Sequence, residues 1–255
     1  MPRLIRPDWI GAPANISAFS TQRIGGVSDA PYDDGSGSGT GGLNLGTQTA
    51  DDADSVLRNR AILRALLPAE PVWLRQVHGN VVVDAATVGS TEIPQADASF
   101  TSRAGVVCAV MTADCLPVLL CDRDGSVVGV AHAGWRGLAG GVLQNTIAAM
   151  RRAGAGDLQA WLGPAIGPDR FEVGAEVLEA FVGQDPRAAA AFRSVAGQPG
   201  KFMADLYHLA RLILGNSDVT RIAGGAHCTM NEPARFYSYR RDHETGRMAT
   251  LIWIN

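Results

Sequence analysis

The run GVVCAVMTADCLPVLLCDRDGSVVGVAHAGWRG, residues 105–137, decides the fold class. It contains three apolar segments of strand length, 105–111, 116–122 and 126–132, and RDG at 123–125 is a tight turn between the last two. Beyond GWRG the periodicity changes: LAGGVLQNTIAAMRRAG, 138–154, reads as a helix ending near Gly154. Further out, WLGP (161–164) reads as a short strand, EVGAEVLEAFVG (172–183) and FMADLYHLARLILGN (202–216) as helices, and RIAGGAHC (221–228) and MATLIWI (248–254) as late strands. On the N-terminal side, SVLRNRAILRALL (55–67) has helical spacing, while VWLRQVHG (72–79) and VVVDAATV (81–88) read as strands. The elements mix without the regular alternation of a doubly wound sheet, so the expectation is an α/β domain of mixed sheets with helices packed outside. SDAPYDDGSGSGTGG, 28–42, is the one low-complexity segment; it predicts a mobile surface loop within a single domain spanning 1–255.

Composition narrows the function classes. The 255 residues are 46% hydrophobic and 18% charged, proportions suited to a folded core and unsuited to disorder. A net charge of −3 gives no reason to expect nucleic acid or an anionic membrane as a partner. No apolar run is long enough to span a bilayer, and Pro, Asp and Gly interrupt the N-terminal MPRLIRPDWIGAP. The four cysteines, Cys108, Cys115, Cys121 and Cys228, form neither a CxxC pair nor a disulfide framework, which predicts a reducing, cytoplasmic setting.

The residues able to carry chemistry are few. Of five histidines, His78 ends one predicted strand in RQVHG and His132 ends another in VAHAGWRG, while Cys115 sits in TADCLP between two strands. Two imidazoles and a thiolate at strand ends suit zinc, and three protein ligands leave an open position for catalysis. The ordinary alternative is a small buried cysteine and hydrogen-bonded structural histidines. Cys108 and Cys121, inside apolar runs, fit that alternative; His208 and His243 read as structural or solvent-facing, and His227 is ambiguous. HAGWRGLAGG, with Arg136, is either an anion cradle at a helix start or a tight strand–helix connection. A further polar group comprises Arg23, Asn44, Gln76 and the Arg240–Arg241 pair, although adjacent arginines before an Asp are usually a solvated, salt-bridged turn.

In order along the chain, RIGGVS, LNLG, RQVHG, TADCLPVLL, AHAGWRG, GPAIGP, FEVG, CT at 228–229, YSYRRD and TGRMA resemble the YfiH-like family, long labelled laccase-domain or multicopper polyphenol oxidase proteins. The resemblance runs from about Phe19 to Trp253. It implies two packed mixed β-sheets with outer helices, in α-β-β-α layers like a toxin deamidase domain. It also implies a zinc site on His78, Cys115 and His132, the trio that the strand-end argument reached. The implied activity is phosphorolysis of adenosine, inosine, guanosine or methylthioadenosine, accompanied by adenosine deamination. Editing of peptidoglycan precursors is linked to some members. Two departures stand out: Asp169–Arg170 replace a Cys pair common after GPAIGP, and the loop before LNLG is longer than usual.

In this reading zinc activates water for deamination and orients phosphate or ribose for phosphorolysis. Arg136 and the arginines near 240 hold phosphate, with Arg23, Asn44 and Gln76 as further substrate contacts. Asp114, beside Cys115, orients a ligand or shuttles a proton. The partners are then purine nucleosides and phosphate, acting on a monomer. Three rivals remain. A laccase needs a further copper cluster that the three other histidines do not supply, although copper can replace zinc at an N/S site. A metal-free Cys115–His132 pair could act as a hydrolase. A zinc-stabilised binding module for a nucleotide-like ligand would bind without turnover.

Overall fold

The computed structural model describes residues 1–255. The three runs of 105–137 form the strands Val107–Thr112, Leu116–Asp122 and Val128–Ala133. The first belongs to one sheet and the other two are neighbours in a second. The five-stranded sheet has the order Leu4–Ile5, Ile16–Thr21, Met248–Ile254, Val107–Thr112 and Pro71–Val72. The six-stranded sheet runs Arg221–Gly224, Leu158–Leu162, Leu116–Asp122, Val128–Ala133, Ala98–Thr101 and Val82–Asp84. Parallel and antiparallel pairings occur in both sheets. A small third sheet joins Glu172–Gly174, Lys201–Ala204 and Phe192–Ser194.

The two-residue repeat of a strand explains the layering. From Leu116–Asp122, Leu116, Val118 and Leu120 enter a core shared with Leu143, Ile147 and Met150 of helix Val142–Arg152 and with Leu209 and Leu214 of helix Leu206–Asn216. The alternate residues Leu119 and Cys121 face the other sheet and pack with Cys108, Val110, Ile252 and Ile254. The far side of the five-stranded sheet contributes Phe19, Val107, Ala109 and Leu251 to a third core, which Leu63 of helix Ala53–Arg64 covers. The order is therefore helix, sheet, sheet, helices, the mixed α/β architecture that the sequence implied. Because 116–122 is buried on both faces, it reads as a continuous apolar run and not as an alternating one.

Local chemistry sets the element boundaries. Helix Ala53–Arg64 starts at Asp52, whose carboxylate accepts from the Ser55 N–H, and helix Leu206–Asn216 starts at Asp205, which accepts from the His208 N–H. That Asp205 cap divides the helix expected over 202–216: its first residues are the strand Lys201–Ala204. The helix expected over 138–154 is likewise two, Trp135–Ala139 and Val142–Arg152, parted by Gly140 and a left-handed Gly141. The run 72–79 pairs only at Pro71–Val72, with an isolated bridge from Arg75 to Gln95. Segment 28–42 folds back on itself through Ala30 N–H to Gly39 O and Asp34 N–H to Thr40 O, and Tyr32 is buried. No helix is long and apolar enough to cross a membrane.

Candidate metal centre and active-site cavity

Strand register gathers the site at one end of the six-stranded sheet. Leu116 pairs with Ala133 and Pro117 with His132, so Cys115, just ahead of its strand, lies across from Gly134. Ala98 pairs with Ala131, which sets Asp97 opposite His132; the His132 N–H donates to the Asp97 carbonyl at 2.7 Å. His78 arrives from outside the ladder, on the loop after the Arg75 bridge, and adopts φ 60°. It is therefore a loop residue, not the strand end that the pattern predicted, because the pairing stops several residues before it.

The ligand atoms of His78, Cys115 and His132 lie within 4.8 Å of one another. Cys115 Sγ is 3.8 Å from His78 Nε2, and the two imidazole rings meet edge to face at 4.8 Å between centroids. A tetrahedral zinc with ordinary Zn–S and Zn–N bonds separates such a sulfur and nitrogen by about 3.6 Å. The donor set and its spacing thus fit a borderline-soft divalent cation. The trio is the one group of three or more His, Cys, Asp or Glu side chains gathered closely enough to hold a metal.

Gly134 makes this approach possible: a Cβ there would stand 2.8 Å from Cys115 Sγ and 3.4 Å from His78 Cδ2. Asp97, fully buried, accepts from His132 Nδ1 at 2.8 Å and from the backbone of the His78 loop. Burial opposes ionisation of that carboxyl, yet the bonds from His132 and from the Gly79 N–H hold it below the usual carboxylate range. Burial also pushes the Cys115 thiol up, but the His132 and His78 imidazoles outweigh it and bring the thiol down to about 6. Burial works against a charged His132 ring, whereas Cys115 and Asp97 lift it to about 9. Each group of the pair thus favours the charged form of the other.

The trio lines a cavity of about 600 Å³. Trp135, Phe171 and Tyr239 give it aromatic walls, and Arg136, Arg240 and Arg247 bring three guanidinium groups to it. Arg136 stacks on Trp135 at 4.5 Å and Arg240 lies over Phe171 at 5.4 Å. Arg247 Nη1 donates to the carbonyls of Thr245 and Gly246, which braces the side chain. Within TGRMA, Arg247 is a lone arginine before an apolar strand, a pattern that carries no signal of its own.

The other residues named from sequence divide into two groups. Gln76 lines the cavity, but both ends of its amide bond the backbone of Met111, at 2.8 Å each. Asp114 also lines it, at φ 95°, with its carboxylate engaged by the Thr229 hydroxyl and the Arg240 N–H, both at 2.6 Å. Arg23, Asn44 and Arg241 do not face the cavity. Arg23 is buried against Asp33 and the Pro233 carbonyl; Arg241 bonds the carbonyls of Thr229, Met230 and Phe236. Asn44 accepts from the N–H groups of Gly46 and Arg247, and so holds the chain that carries Arg247.

Comparison with known proteins places these features in a family context. The sequence model of the family described as multi-copper polyphenol oxidoreductase laccase matches residues 17–255. A purine nucleoside phosphorylase of Pseudomonas aeruginosa is 50% identical over 98% of both chains. The purine nucleoside phosphorylase YfiH of Escherichia coli (strain K12) is 49% identical over the full length of both. A solved structure from Neisseria meningitidis is 50% identical with a TM-score of 0.90, covering 99% of each chain. The hypothetical protein YfiH of Bacillus licheniformis has a TM-score of 0.83 at 28% identity, covering 94% of this chain and 93% of that one.

Proposed function

This chain belongs to the multi-copper polyphenol oxidoreductase laccase family, and from that premise we propose that it is a zinc-dependent purine nucleoside phosphorylase with accompanying adenosine deaminase activity. The observation that carries the reading is a nucleoside-sized cavity with His78, Cys115 and His132 at one wall and three arginines around it. Relatives named purine nucleoside phosphorylase, half identical over nearly the whole chain, support it.

In phosphorolysis a phosphate oxygen forms a bond to C1′ of the ribose while the glycosidic C–N bond breaks, and the departing purine takes up a proton. Arg136, Arg240 and Arg247 supply the donors that hold a phosphate dianion and stabilise charge as the bond breaks. Trp135, Phe171 and Tyr239 offer faces for the flat base, and Leu74, Met111 and Ile166 exclude water from it. His78, Cys115 and His132 would hold a zinc ion, which when bound would supply Lewis acidity for water activation. Gln76 acts through the Met111 backbone, and Asp114 through the Thr229 hydroxyl and the Arg240 N–H, and not by touching substrate.

A phenol-oxidising copper enzyme fits the residues less well. The histidines outside the trio are dispersed: His208 on helix Leu206–Asn216, His227 beside Glu232 and His243 beside Tyr239. The deciding experiment incubates metal-analysed protein with adenosine, with and without phosphate, and separates the products chromatographically. Adenine that depends on phosphate, together with inosine, is the expected result, and Cys115→Ala should remove both along with bound zinc. No turnover of any purine nucleoside by protein carrying stoichiometric zinc would end this reading.

A further inference from the structure

We propose that Asp97 is the positioning residue that assembles this centre, holding the His132 ring and the His78 loop together through one buried carboxyl group. The inference rests on reading His78, Cys115 and His132 as metal ligands. Asp97 touches none of the reacting groups; it acts through the His132 imidazole and the backbone that carries His78.

The argument is a count of donors. Asp97 Oδ1 accepts from His132 Nδ1 at 2.8 Å and from the His78 N–H at 2.9 Å. Oδ2 accepts from the Gly79 N–H at 2.7 Å and from the Val77 N–H at 3.2 Å. A carboxylate offers about four acceptor positions, and here each faces an N–H. Three of these partners are backbone N–H groups that can only donate, so an amide NH₂ in place of a carboxylate oxygen would oppose a backbone donor in a fully buried place.

Two things follow for the centre. Nδ1 of His132 is turned to Asp97, so Nε2 is the atom left for Cys115 and a metal. Three consecutive N–H groups, at Val77, His78 and Gly79, fasten the loop on which His78 adopts its left-handed φ of 60°. Asp97 is itself fixed in the sheet, donating its N–H to the Val81 carbonyl at 3.0 Å and receiving the His132 N–H on its own carbonyl. Asp114, although adjacent to Cys115 in sequence, is bonded to Thr229 and Arg240 instead.

The test compares the zinc-loaded full-length chain with Asp97→Asn, which preserves volume and removes the charge. Retained zinc is measured against increasing chelator, and the thermal midpoint of each metal-free form is recorded. The expected result is a folded variant whose zinc affinity falls roughly 10- to 100-fold. A folded variant with unchanged affinity overturns the inference. Should Asp97→Asn fail to fold, ¹⁵N resonances of zinc-loaded wild-type protein decide: a proton on His132 Nδ1 is expected, and one on Nε2 refutes the assignment. A wild-type chain that takes up no divalent metal removes the metal reading and this inference together. Lost zinc affinity in the variant, with no nucleoside turnover by the wild type, leaves Asp97 in its role and rejects only the phosphorylase.

Discussion

Gly134→Ala isolates the candidate metal centre from the rest of the fold. Gly134 has φ −62° and ψ 161°, a conformation alanine adopts without strain, so the added methyl acts by volume alone. Its Cβ would lie 2.8 Å from Cys115 Sγ, 3.4 Å from His78 Cδ2 and 3.5 Å from Cys115 Cβ. Non-bonded heavy atoms settle at about 3.5 Å or more, so the sulfur must retreat by roughly 0.7 Å. Metal–ligand distances tolerate only about 0.2 Å, and a displacement near 1 Å at a reacting centre costs on the order of 100-fold in rate. Global stability should suffer far less. Overpacking by one methyl costs about 1–3 kcal/mol, and the stiffer unfolded chain returns about 0.4–1 kcal/mol. The net loss of about 0–2.6 kcal/mol corresponds to a fall in Tm of at most roughly 10 °C in a chain of this length. The assay is metal per chain, phosphorolysis rate and melting, with Gly156→Ala as control because nothing lies within 4 Å of a Cβ there. Full metal content and wild-type turnover in Gly134→Ala would refute the convergence of Cys115 and His78 beside this glycine.

Two further outcomes are expected. In metal-free protein the alkylation rate of Cys115, located by mass spectrometry, should rise with a midpoint near pH 6: a lowered thiol pKa means thiolate persists above that pH and disappears as pH falls through it. His132→Ala should move that midpoint up toward the ordinary 9.0, and zinc should suppress labelling; a wild-type midpoint already near 9 would contradict the His–Cys coupling. Arg247→Gln removes a charge-assisted donor worth about 1.5–3 kcal/mol, so KM for phosphate should rise roughly 10- to 100-fold while KM for the nucleoside changes little. Equal rises in both constants would assign Arg247 to general shaping of the cavity and not to the anion.

Much of the framework was legible in the chain itself. The runs at 107–112, 116–122, 128–133 and 248–254 declare themselves as strands because burial on both faces demands near-continuous apolar residues. Strands Ile16–Thr21 (ISAFST) and Ala98–Thr101 (ASFT) do not, since serines and threonines dilute their pattern and only pairing with a neighbour makes them strands. Helix starts were shifted for a related reason: Asp205 and Gly141 divide segments whose helical spacing runs on across them.

The candidate site divides along the same line. His78, Cys115 and His132 could be selected from sequence because few residue types bind a soft cation and these stood near predicted chain reversals. Arg23, Asn44 and Arg241 looked equally suited to substrate, but whether a polar side chain faces a cavity or bonds the backbone depends on neighbours distant in sequence: Asp33 and Pro233 for Arg23, and Thr229 to Phe236 for Arg241. Asp97 is the clearest case, an unremarkable acid in QADASF until the register of Ala98 with Ala131 places it across from His132 and beneath the His78 loop. Residue chemistry and local periodicity are properties of the chain, so sequence alone determined the α/β class and the candidate ligand types. Convergence depends on pairing between segments tens of residues apart, so only the tertiary structure decided which polar groups meet at the metal centre and which are already satisfied elsewhere.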